Sequence, residues 1–164
     1  RVLDGALRIE GRHSGAGETR VFRSVRALDF RSASCDLMVG DNNRGMAGVS
    51  IALENRRRRT WEYRIEQSNS GLRWIETAGA KEKHGDIGIR LTSTDPVRVS
   101  FKLDTEQAPP QLTVRVNGVI VYSEPAPRLR TPTGDLLLGA FVRTVNALPV
   151  ATSIDNVELV YATQ

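Results

Sequence analysis

A chain of 164 residues, 40% hydrophobic and 26% charged, is long enough to bury one core at roughly 70% of its unfolded surface without covalent staples. The lone Cys35 excludes an internal disulfide or a shared-cysteine metal site and reads as a small buried apolar residue. A net charge of +4 raises nucleic acid as a partner, yet the arginines are scattered from Arg8 to Arg143 among apolar residues, as on solvated strand faces, so none is expected. Apolar runs fall short of the roughly 20 residues that span a bilayer, and no membrane insertion is expected. The strand pattern starts at once behind Arg1 with no signal peptide, so residues 1–164 are expected to be a single domain excised from a larger protein.

Apolar and polar residues alternate at period two along the chain, whereas sustained helical periodicity does not appear, which predicts an all-β fold. Leu7 and Ile9 alternate with Arg8 and Glu10 before a glycine-rich loop that holds His13. Strands are then predicted over 20–26, 34–39, 48–54, 61–67, 72–77, 85–92, 97–104, 112–116, 119–124, 136–142 and 154–161. Turn residues separate them, among them Asp95-Pro96, Pro109-Pro110 and Asn117-Gly118. A dozen short strands at hairpin spacing imply two packed antiparallel sheets.

Asn117-Gly118 suits a two-residue type I′ turn, in which both residues take positive φ. That turn sets Val116 opposite Val119. Leu112, Val114, Val116, Val119 and Val121 would share one face, and Thr113, Arg115, Ile120 and Tyr122 the other. In the strand over 61–67, Trp61, Tyr63 and Ile65 are expected to face the core, leaving Glu62, Arg64 and Glu66 as a surface row of alternating charge.

Three segments of the C-terminal third, QLTVRVNGVIVYSE, GDLLLGAF and SIDNVELVY, resemble the C-terminal half of the concanavalin A-like lectin and glucanase sandwiches, a group that includes laminin G-type modules. Asp4-Gly5-Ala6-Leu7-Arg8-Ile9 is similar to the "D-G-x-L-x-I" opening strand of many of these sandwiches, which pairs beside the final strand. The resemblance implies a two-sheet antiparallel jelly roll. It also implies a non-catalytic binding or adhesion module, extracytoplasmic, that recognises glycan through its concave sheet. The alternative is a structural domain that makes protein contacts with neighbouring domains of a larger chain.

A glycoside hydrolase is the enzyme alternative, since the laminarinase branch of these sandwiches carries a Glu-x-Asp-x-x-Glu strand motif. The nearest match, Glu62-Tyr63-Arg64-Ile65-Glu66, has arginine at the central position. Four strand residues separate its carboxylates by roughly 13 Å, beyond the 5 to 9.5 Å or so over which paired carboxyl groups work. No enzyme is expected. His13 and His84 have no nucleophile motif beside them, and Gly15-Ala16-Gly17 lacks the third glycine and helix of a phosphate cradle.

Sugar binding asks for an aromatic platform with polar groups around it. Trp74, with Arg73 and Glu76 near a hairpin end, is the candidate platform, against the alternative that Trp74 packs in the core. Arg56-Arg57-Arg58-Arg59 is expected to form a hairpin tip, solvated or else gripping a sulfated glycan, a phosphate group or an acidic protein through residues such as Arg57 and Arg58. Asp155 shares strand parity with Val157, Leu159 and Tyr161, which points its carboxylate inward. Either neighbouring backbone amides satisfy it, or, as the resemblance to glucanases implies, it holds a structural calcium ion between the first and last strands. Asp41-Asn42-Asn43-Arg44-Gly45 has the oxygen-rich look of a calcium loop but reads as a plain turn.

Overall fold

The computed structural model describes residues 2–3, 6–11, 17–39, 45–55, 58–68, 71–90, 92, 94–130, 134–144 and 150–161. Its strands are β1 (Val2–Leu3), β2 (Ala6–Gly11), β3 (Gly17–Arg26), β4 (Phe30–Val39), β5 (Met46–Asn55), β6 (Arg58–Ser68) and β7 (Gly71–Ala78). They continue with β8 (Lys81–Asp86), β9 (Val97–Asp104), β10 (Gln111–Val116), β11 (Val119–Pro125), β12 (Asp135–Thr144) and β13 (Val150–Tyr161). A 3-10 turn, Pro127–Arg130, follows β11 on the way to β12.

Two antiparallel sheets result, of seven strands ordered β1-β2-β13-β4-β9-β10-β11 and six strands ordered β3-β12-β5-β6-β7-β8. The opening segment lies beside the closing one, with Leu7 opposite Ile154 and Gly11 opposite Val150. Burial follows the period-two pattern. Val97, Val99, Phe101 and Leu103 of β9 and Leu112, Val114 and Val116 of β10 meet Val49, Ile51 and Leu53 of β5 and Trp61, Tyr63 and Ile65 of β6 in one core.

The Asn117-Gly118 hairpin has the expected turn, with φ of 49° and 82°. Its far strand departs from expectation. Val114 lies opposite Tyr122 but Arg115 lies opposite Ile120, so Val121 is a bulge residue. The extra residue reverses parity beyond it, and Tyr122, expected on the face of Thr113 and Arg115, is buried on that of Val114 instead.

The strand predicted over 85–92 is also displaced. The strand that forms, β8, is the polar run Lys81–Asp86, an edge strand with an almost fully exposed pattern. Ile87 and Ile89 still pack against the core, but Gly88 at φ +77° breaks the extended run. Backbone bonds from Ile87 N to the Leu72 carbonyl and from Leu72 N to the Ile89 carbonyl fasten it instead.

A charged and aromatic face on the six-stranded sheet

The parity that turns Trp61, Tyr63 and Ile65 inward turns Glu62, Arg64 and Glu66 onto the face directed away from the other sheet. The neighbouring strands place Glu18, Arg20 and Phe22 of β3, Phe141 and Arg143 of β12, Ser50 and Ala52 of β5, and Arg73 of β7 on the same face.

The expected solvated row is corrected here: Glu62 and Arg64 are 7% exposed and Glu66 0%. Carboxylates this deep persist only when paired, and each has two guanidinium neighbours. Glu66 Oε1 accepts from Arg73 Nε at 2.9 Å and Nη2 at 2.5 Å. Glu62 is bonded by Arg20 and faces Arg59 Nη1 at 3.9 Å. Glu18 joins Arg20 to Arg143, whose Nη2 is 2.8 Å from Glu18 Oε2. Burial lowers the pKa of the Arg20 guanidinium below its ordinary value, and the Glu62 hydrogen bond opposes that shift. Beneath the charges lie Phe141, Leu137 and Ala52, all buried, and both Arg20 and Arg64 stack over the Phe141 ring.

One gap remains in this network. Arg64 Nε and Glu66 Oε2 stand 3.6 Å apart, too far for a hydrogen bond, and both lack a partner.

At the β3 edge the face opens. Phe22 is 53% exposed and sits opposite Gly139. A side chain at Gly139 would overlap the backbone of Val21 and Phe22. A shallow depression there is floored by Ser50, Ala52, Leu137 and Gly139, with Arg20, Phe22 and Arg59 around it.

The candidates Arg73, Trp74 and Glu76 do not converge. Arg73 lies on the open face, while Trp74 and Glu76 project between the sheets. Trp74 stacks on Tyr63 at 6.1 Å and meets Tyr122 edge-on at 5.4 Å, so its ring is committed to the interior rather than offered to a sugar. Glu76 accepts a hydrogen bond from Trp61 Nε1 at 2.8 Å. Tyr63 and Tyr122 have their pKa values raised, chiefly by burial.

Of the basic run, Arg58 and Arg59 are strand residues opposite Asn55 and Glu54. Arg58 is exposed, and Arg59 is turned toward Glu62 rather than projecting from a tip. Arg56 and Arg57 lie outside the described residues, as do Asp4, His13 and the 41–44 turn. His84 is exposed on β8.

Asp155 requires a second correction. Asn156, at φ 47°, begins a bulge between Asp155 and Glu158 that reverses parity within β13. Ile154 is therefore the buried residue, Val157 is exposed, and Asp155 faces outward opposite Asp36. Its Oδ1 accepts the Asn156 backbone amide at 2.7 Å. Asp36 is engaged by Arg98 Nη1 at 3.3 Å and Asn156 Nδ2 at 2.6 Å. Among the described residues no cluster of three His, Cys, Asp or Glu side chains forms around a metal position.

Arg20, Phe22 and Arg143 were not singled out from the sequence. Their signal is the shared parity of Arg20 and Phe22 in T-R-V-F-R, where an aromatic residue stands on the polar face of a strand.

The fold is the concanavalin A-like jelly-roll sandwich. No family model and no curated protein sequence matches the chain. Among solved structures, it is similar to a carbohydrate-binding module from Bacillus subtilis, with 9% identity over 92% of this chain and 85% of that one, at a TM-score of 0.60. It is similar also to the laminarinase catalytic domain from Thermotoga maritima, with 15% identity over 100% and 80% of the two chains, at 0.63. A third is an alginate lyase from Pseudomonas aeruginosa, with 12% identity over 84% and 67%, at 0.58. At these identities the likeness is one of fold.

Proposed function

We propose that the chain is a non-catalytic module that binds glycan on the open face of its six-stranded sheet, around Phe22, in an extracytoplasmic setting. The observation that carries the reading is the exposed Phe22 ring beside a depression rimmed by Arg20 and Arg59. It combines an apolar platform for a sugar ring with the partly exposed Arg59 guanidinium as a donor for its hydroxyl or acidic groups, Arg20 being engaged by Glu18 and Glu62. Binding is favoured over catalysis because Glu62 and Glu66, the acids at the centre of the face, are engaged by arginines and flank Arg64. Solved structures of this fold include a carbohydrate-binding module as well as glycan-cleaving enzymes, which supports a saccharide as the ligand.

Calorimetric titration with a panel of neutral and uronate oligosaccharides tests the reading. Phe22→Ala and Arg59→Ala should each weaken binding about tenfold, as loss of one stacking or charged contact does. Trp74→Ala should lower stability and leave affinity unchanged. Equal affinity in wild type and Phe22→Ala would sink the site. Cleavage of an oligosaccharide that is abolished in Glu62→Gln would replace a binding module with an enzyme.

A further inference from the structure

The two sheets do not close on one another everywhere. Where β3, β12 and β5 face β4, β9 and β13, a cavity of about 270 Å³ opens to solvent. Its walls are mostly apolar, with Val49, Phe101, Leu138, Ile154 and Leu159 contributing. At this point β4 turns only the small side chains of Ala33 and Cys35 toward Leu138 of β12, too little volume to fill the gap. Interiors otherwise pack nearly without voids, and an unfilled one destabilises its host.

The mouth has its own chemistry. Val157 and Tyr161, both lining residues, are large and half or more exposed. Two lining residues are charged, Arg23 and Glu158. Glu158 is committed: its Oε2 accepts from Ser34 Oγ at 3.0 Å and lies 2.9 Å from Arg98 Nη2. Arg23 is exposed and has no hydrogen-bond or ion-pair partner among the described residues. The uncompensated charge at the cavity is therefore positive.

We propose that this cavity binds a small anionic amphiphile, a medium-chain carboxylate whose tail lies between the sheets and whose head meets Arg23. An apolar cavity of about 150 Å³ takes up benzene, so this one admits a longer apolar body. The site lies on the other side of β5 and β12 from the glycan depression: the two share Ser50 and Gly139 between them, but neither Phe22 nor Arg59 lines the cavity.

Decanoate and decanol, at monomeric concentrations, are the probes, read by displacement of an apolar fluorophore and by thermal melting. Wild type should bind decanoate about tenfold more tightly than decanol, and Arg23→Gln should remove that preference by weakening decanoate alone. Ala33→Leu, which fills the cavity from β4, should melt cooperatively and bind neither probe. Leu138→Trp fills it from β12 and serves if Ala33→Leu does not fold. Failure of wild type to bind decanoate would overturn the proposal, as would unchanged binding in a folded cavity-filled variant. Equal affinity for the two probes in wild type would overturn the anionic head.

Discussion

Glu66 carries the sharpest consequence of a single side chain. Replacing it with alanine leaves the buried Arg64 guanidinium without its nearest anion, and loss of one partner of a buried pair costs about 3 kcal/mol or more. Urea denaturation should show that loss for Glu66→Ala. The double variant Arg64→Met, Glu66→Leu should recover much of it, because the buried guanidinium is then gone and Arg73, the other partner of Glu66, is 30% exposed and can turn to water. Cys35 gives a second test. Burial pushes its thiol up from 9.0 to about 12, so the folded state holds the proton that the unfolded chain releases. Its contribution is fully present below pH 9 and is lost as pH rises toward 12, at about 1.4 kcal/mol per pH unit for one proton. Cys35→Ala should flatten the alkaline decline in stability by that slope in a pH series of melts. The sequence could not reveal the buried charges, because a row of Glu, Arg, Glu on alternate positions looks the same whether water or arginines from two other strands surround it.

Strands were legible wherever apolar residues alternate, and eleven of the thirteen strands among the described residues overlap a predicted one for that reason. The two-residue β1 has too few residues for any period to show. β8 is misplaced in the prediction because Lys81, Glu82, Lys83 and His84 carry no apolar signal. Its placement rests instead on pairing to β7 and on Lys83 Nζ, which reaches Glu124 of the other sheet at 2.9 Å. Bulges were the other blind spot. Val121 and Asn156 each add one residue, and all parities beyond them reverse, which is why Tyr122 and Asp155 were assigned to the wrong faces. Gly85 tests how β8 is held. A methyl there would stand 2.5 Å from Trp74 Nε1, so Gly85→Ala must move the indole or the strand. Overpacking of this kind costs about 1–3 kcal/mol, and tryptophan emission should shift as Trp74 leaves the Tyr63 stack.

The whole molecule is dominated by pairings distant in sequence: β3 with β12, β2 with β13, and β13 with β4. Such topologies fold in milliseconds to seconds rather than microseconds, and stopped-flow refolding should fall in that slower range. The general plan, two sheets with first and last segments adjacent, was legible from short motifs at both ends. The cavity between the sheets was not, because it depends on which small residues of β4 meet which positions of β12. The place of β13 has a consequence for synthesis. Strand β13 slots between β2 and β4, so a chain emerging from the ribosome keeps two raw strand borders, able to pair with a stranger, until Val150–Tyr161 has emerged.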